Sequence, residues 1–198
     1  KGRFSRNIAF LTSGTIIAQL IAFAAIPILS RLYNPSDFGV LAIYASLLGI
    51  VSVIANLRYQ LAIPLAKTDQ EASALLLLSI MITCCISLVV FLAVLSAGGQ
   101  IDNWLNSEKI SQHIWLLPVG VFFTGLYQTF NYWAIREKDL KIVAKTKVSQ
   151  MAAMISAQIV FFKFGSLALI SGHVIGQSAG VSRLAMPLIK SKVELLKK

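Results

Sequence analysis

The sequence predicts an all-α membrane protein, a bundle of six transmembrane helices, and three observations carry that expectation. Of its 198 residues 57% are hydrophobic and only 13% are charged, which is too apolar for a soluble domain of this length. Charge-free runs cover 7–30, 38–57, 72–101, 110–135, 148–162 and 164–182, most of them close to the ~20 residues that cross a bilayer as helix. The cations are also one-sided. Of the 18 Lys and Arg, only Arg31, Lys109 and Lys163 fall in one set of alternate loops, and the other 15 fall in the opposite set with five of the eight acids. That puts the whole net charge of +10 on one side, which the positive-inside rule makes cytoplasmic, together with both ends of the chain. Charge spread over membrane-flanking loops also argues against nucleic acid as a partner.

The elements are expected in the following order. The first helix covers about 7–30. Its basic start and Ala22-Phe23-Ala24 imitate a signal peptide, but the apolar run continues to Leu29 and is too long for one. The chain begins at Lys1 rather than Met, so further residues are expected upstream. Asn34-Pro35-Ser36-Asp37 reads as an N-cap, a proline at N1 and an acid at N3, which starts a second helix over 36–57. Pro64 stops any continuation. Thr68-Asp69-Gln70-Glu71 is a capping box that opens the third helix, 69–97, and Gly98-Gly99 closes it. The fourth helix covers 112–135, with Pro118 in its first turns. The fifth covers 141–162, entered with Lys145 and Lys147 snorkelling to the headgroups; two short helices forming a re-entrant pair are the alternative there. The sixth covers 166–188. Tyr33, Trp104 and Trp115 at one end and Tyr59, Tyr132 and Trp133 at the other read as interfacial belts.

No catalytic constellation is evident, and no cofactor or metal is expected. Cys84 and Cys85 are adjacent in mid-span, where a bridge between neighbours is strained. His113 and His173 are far apart and no cluster has metal-ligand spacing. Polar groups inside the spans carry more information, because each needs a partner helix or a cavity. Thr12, Thr15 and Gln19 share a face of the first helix. Gly120, Thr124, Gln128 and Asn131 form a stripe on the fourth, Gln150 and Gln158 share one side of the fifth, and Ser166, His173, Gln177 and Gly180 one side of the sixth. Such stripes fit either a polar lumen or interhelical hydrogen bonding in a closed bundle. Gly172, Gly176 and Gly180 form a GxxxGxxxG that reads as close helix packing. Among cations near span ends, Arg31, Arg58 and Arg183 stand out, since a cation at bilayer depth costs on the order of 2.5–3.5 kcal/mol on insertion scales. The bland account for each is snorkelling. Lys138, Lys141 and Lys145, spaced i, i+3, i+7, read as an anchor on one face leading into the fifth span.

The stretch Ser30-Arg31-Leu32-Tyr33-Asn34-Pro35-Ser36-Asp37-Phe38-Gly39, followed by 57–64 and 67–72, resembles the N-terminal part of bacterial polysaccharide or O-antigen flippases, the Wzx-type branch of the multidrug/oligosaccharidyl-lipid/polysaccharide (MOP) superfamily. Asn131-Tyr132-Trp133 with 136–147, and 172–180, resemble that family's fourth-to-fifth loop and sixth helix. The resemblance implies a MATE-like fold of two six-helix lobes around a central cavity, with this chain supplying one lobe and its basic end resembling the linker to a C-terminal lobe. It implies a transporter, not an enzyme, in the bacterial inner membrane. The implied substrate is an oligosaccharide repeat unit on polyprenyl pyrophosphate, flipped to the outer leaflet for O-antigen, capsule or exopolysaccharide synthesis. The implied partners are that lipid-linked oligosaccharide, membrane lipids, the second lobe and polysaccharide polymerase machinery.

By the same resemblance Arg31 matches the arginine before the family's Pro-x-x-Phe-Gly element and Arg58 the arginine closing the second helix. These two, with Arg183 third, are the expected phosphate contacts, and Gln19, Gln128, Asn131 and Gln177 the expected sugar contacts. A drug or cation antiporter of the same superfamily is the first alternative, and an anionic lumen would favour it, whereas Arg31 and Arg58 turned inward would favour the flippase. A membrane-embedded polysaccharide-assembly enzyme is the second; its reactive groups would have to come from the loop at 98–112, with Asp102, Glu108 and Lys109.

Overall fold

A computed structural model describes residues 2–96 and 112–196, with side-chain surroundings for 10–96 and 112–186. Gly98-Gly99, Trp104, Asp102, Glu108 and Lys109 lie outside the described residues. Every regular element described is helical. The order is α1 (Gly2–Leu32), α2 (Pro35–Ile54), a 3-10 helix (Tyr59–Leu65), α3 (Asp69–Ser96), α4 (Leu116–Arg136), α5 (Leu140–Val160), a short 3-10 turn (Phe162–Phe164) and α6 (Ser166–Leu196). Helix α5 is continuous, so the re-entrant pair does not form.

Three of these helices, at Phe10–Leu32, Pro35–Ile54 and Asp69–Ser96, are long and apolar enough to cross a membrane, and only 11–22% of each is buried. Helices α4, α5 and α6, at 21, 21 and 31 residues, have the length but more polar sequences. The reason is placement: α6 packs against α5, α4 and α2, and α5 against α1. The outer helices meet lipid and read as apolar; the inner ones hide polar groups against each other.

Small residues decide the closest approaches. A Cβ on Gly172 would lie 2.5 Å from Gln158 Cγ, on Gly176 2.9 Å from Met154 Cβ, and on Gly180 2.8 Å from Gln150 Nε2. The glycine ladder of α6 thus receives the 150, 154, 158 ridge of α5, and van der Waals packing replaces the hydrophobic drive that lipid does not supply. Gly14 does the same for α1 on α5, where a Cβ would meet Ala144 Cβ at 2.6 Å. The apolar core forms a patch between α2, α4 and α6 (Val40, Tyr44, Leu48, Val121, Ile170) and another where α1 meets α5 and α6 (Ala25, Leu29, Ile155, Leu169).

The turns are pinned by side chains. Asp37 accepts from the Asn34 backbone N–H at 3.2 Å, which starts α2 as the sequence indicates. Tyr33 is not an interfacial residue; it is buried and its hydroxyl donates to the Gln158 carbonyl. Burial, with the Asp37 carboxylate nearby, pushes its phenol above the usual range, so it remains a donor. Thr68 and Glu71 form the expected reciprocal cap, Glu71 N–H to Thr68 Oγ1 at 3.2 Å and Thr68 N–H to Glu71 Oε2 at 3.4 Å. Helix α2 ends at Ile54 rather than 57, because Leu57 and Arg58 take left-handed conformations (φ 46° and 63°), costing roughly 1–2 kcal/mol each. Fully buried Asn56 holds this turn. Its Nδ2 donates to Gly125 O at 3.0 Å and Thr129 Oγ1 at 3.2 Å, and its Oδ1 accepts from Thr83, so one amide joins α2, α3 and α4. Arg136 finishes the same end, donating to Ala66 O at 2.6 Å and to Asp69 Oδ1 at 2.8 Å.

Candidate functional site: a polar cleft and a basic groove

Helices α1, α4, α5 and α6 enclose an open cleft of ≈ 390 Å³. Thr15, Ala18 and Gln19 come from α1, Tyr127 from α4, Lys147, Gln150, Met151 and Met154 from α5, and His173, Gly176 and Gln177 from α6. Helical spacing explains the convergence: 147, 150 and 154 lie on one face of α5, 173, 176 and 177 on one face of α6, and 15, 18 and 19 on one face of α1. The missing side chain of Gly176 lets α5 and α6 close the cleft floor.

Among the described residues Lys147 is the cation of this lining, and no carboxylate joins it. Its ammonium donates to Thr15 Oγ1 at 3.1 Å, and the Thr15 hydroxyl donates on to Leu11 O at 3.0 Å. Gln150 Nε2 donates to Gln177 Oε1 at 2.8 Å, which leaves the Gln177 amide hydrogens for a ligand. Gln19 is exposed on the α1 side. His173 stands edge-on to the Tyr44 ring at 6.2 Å, and its buried Nδ1 has no hydrogen-bond partner among the described residues. The lining can therefore offer amide, hydroxyl and imidazole hydrogen bonds and one positive charge to an anionic, hydroxyl-rich ligand. Among the described residues no group of His, Cys, Asp and Glu could hold a metal.

The expected contacts separate into several places. Gln19 and Gln177 line the cleft. Gln128 does not; its Oε1 accepts from Gln60 Nε2 at 3.2 Å, an α4 to 3-10-helix contact. Asn131 is partly buried on α4, its Oδ1 without a partner among the described residues. Gln158 is structural, donating to Leu169 O at 3.1 Å. Arg31 and Arg58 are both exposed, do not line the cleft, and flank opposite ends of α2, whose 20 residues span about 30 Å. Arg183 lies in a second depression, a groove of ≈ 810 Å³ between α1, α5 and α6, with Lys141 and Lys145. Lys138 leaves that series, because its left-handed backbone (φ 58°) places it in the α4–α5 turn. Cys84 and Cys85 are exposed on α3.

Sequence reading missed Lys147 as a cleft residue by treating it as a snorkelling anchor. The signal was present: Lys147, Gln150 and Met154 repeat at i, i+3, i+7, and Gln150 shares that face.

A family model described as polysaccharide biosynthesis protein matches residues 28–193. The chain belongs to this family. The match runs from the end of α1 into α6 and covers the Tyr33–Asp37 turn, the Asn56 junction and most of the cleft, placing this membrane protein in polysaccharide synthesis or export. No curated protein and no solved structure matches the chain.

Proposed function

We propose that this chain is one lobe of a transporter that flips polyprenyl-pyrophosphate-linked oligosaccharide from the cytoplasmic to the outer leaflet of the bacterial inner membrane, with a second lobe completing the path. The observation that carries the reading is Lys147, held by Thr15 in a cleft lined by Gln19, Gln150 and Gln177. The amides suit sugar hydroxyls, and the ammonium suits a phosphate, to which charge-assisted bonds are the strong ones. The prenyl chain stays in lipid beside Ile16, Leu20 and Phe23, which are exposed on α1. A cleft of this volume falls in the range of small-ligand sites, so it holds part of a repeat unit, with the remainder against the second lobe.

Arg58 and Arg31, at opposite ends of α2, meet the pyrophosphate at different stages, Arg58 on entry and Arg31 on exit, while alternating access rocks the lobes around the cleft. A cation exporter would want a carboxylate where Lys147 stands. Polymerase machinery downstream would consume the flipped unit.

The test is complementation of a flippase-null strain by the full-length gene beside Lys147→Gln, Arg31→Ala and Arg58→Ala. Lys147→Gln is expected to lower surface polysaccharide at least tenfold at equal expression, and each arginine variant severalfold. Full restoration by all three variants overturns the site. Failure of the intact gene across several glycan types, together with gained drug resistance, overturns the function.

A further inference from the structure

The groove that holds Arg183 is built unlike the cleft. Lys141 and Lys145 are exposed one turn apart on α5, and Arg183 approaches from α6. Like charges at i, i+4 repel, and a third cation beside them compounds the repulsion, so the arrangement is favourable with an anion between them. Among the described residues no carboxylate lines the groove. Asp139, adjacent in sequence, is engaged in capping α5 through the Ile142 N–H at 3.1 Å.

Below the cations the groove turns apolar, with Phe10 and Ile17 of α1 facing Val148 of α5. Its floor lies where Gly14 lets α1 reach the Ala144 backbone. The Lys141 ammonium sits 5.1 Å from the centre of the Phe10 ring, within cation–π range. A simple snorkelling lysine would extend toward water; this one is drawn over the apolar wall. The groove lies at the end of the bundle where Arg136 joins α4 to the start of α3 and where the chain's cations concentrate, the setting in which basic pockets between helices take lipid phosphates.

We propose that this groove is a binding site for the phosphate of a membrane lipid, separate from the cleft, with Lys141, Lys145 and Arg183 on the phosphate oxygens and the lipid chain along Phe10, Ile17 and Val148. A membrane glycerophospholipid and a polyprenyl diphosphate share this chemistry. The site does not depend on the transport reading.

Native mass spectrometry of the full-length protein in detergent tests it, with phosphatidylglycerol, undecaprenyl diphosphate and phosphatidylcholine added separately. The wild type is expected to retain phosphatidylglycerol or undecaprenyl diphosphate at least fivefold more than phosphatidylcholine. The triple variant Lys141→Gln/Lys145→Gln/Arg183→Gln is expected to lose that excess, and Lys141→Arg/Lys145→Arg/Arg183→Lys to keep it. Lys163→Gln, in the turn at the far end of α5 and outside both the groove and the cleft, leaves retention unchanged. Preference for phosphatidylglycerol identifies a resident lipid, and preference for the diphosphate an entry station for the flipped substrate; both support the site. Equal retention of all three lipids by the wild type, undiminished retention of the anionic lipids by the folded triple variant, or equal loss in Lys163→Gln overturns it. A thermal midpoint of the triple variant close to the wild type's shows that it is folded. Failed complementation across several glycan types with gained drug resistance overturns the flippase reading, and intact retention then leaves the groove standing.

Discussion

Helix α2 and helix α6 both carry glycines, and the glycines do opposite things. On α2, a Cβ at Gly39 or Gly49 would meet nothing within 4 Å, whereas on α6 each of Gly172, Gly176 and Gly180 lies within contact of α5. The same contrast runs through the bundle: α3 turns Met81, Leu88 and Leu92 outward, while α4, α5 and α6 turn Thr129, Gln158 and His173 inward. In lipid the outward face gains nothing from shape, and the inward face is decided by shape and hydrogen bonds alone.

The largest test of this contrast is Gly14→Leu. Its side chain would enter the Ala144 backbone, which cannot yield, so the expected loss is about 3 kcal/mol or more, read as a lowered thermal midpoint of the full-length protein in detergent or as loss of expression. Wild-type stability in this variant would mean that α1 and α5 are not in close contact. Next comes Asn56→Leu, which removes the amide that ties three helices together and leaves Thr83 and Thr129 only the bonds within their own helices, to Ser79 O and Gly125 O; a cost of about 1 kcal/mol is expected, and Asn56→Gln should not rescue it, because the longer amide does not fit the fully buried site.

Gly49→Ala sharpens the comparison from the other side. With open space around it and a helical backbone, the alanine should be neutral or stabilising by up to about 1 kcal/mol, the reverse sign to Gly14. Smallest of all, Cys84→Ser and Cys85→Ser should each change stability by less than about 0.5 kcal/mol, read as a thermal midpoint close to the wild type's.

The cleft was only partly legible beforehand. Gln19 and Gln177 are readable because a polar residue within an apolar run announces itself. Lys147 was masked by its neighbours, since near a cation cluster a lysine reads as an anchor. Gln128 and Gln158 give the same sequence signal as the cleft glutamines, yet one bonds Gln60 and the other the Leu169 carbonyl. A helical stripe specifies a face, and the neighbouring helix specifies what the face meets.

What the sequence determined unaided is the local and the compositional: helical segments long enough to span, their starts at Asp37 and Thr68–Glu71, the one-sided cations and the resemblance at 30–39. These follow from backbone satisfaction in lipid and from capping chemistry, both of which act over a few residues. The tertiary structure alone decided that α6 lies inside, that Asn56 joins three helices, that Lys147 faces Thr15 and that Arg183 shares a groove with Lys141 and Lys145. The reason is that each of these depends on the rotation of one helix about its axis against another, and such rotations are fixed by packing between residues far apart in the chain.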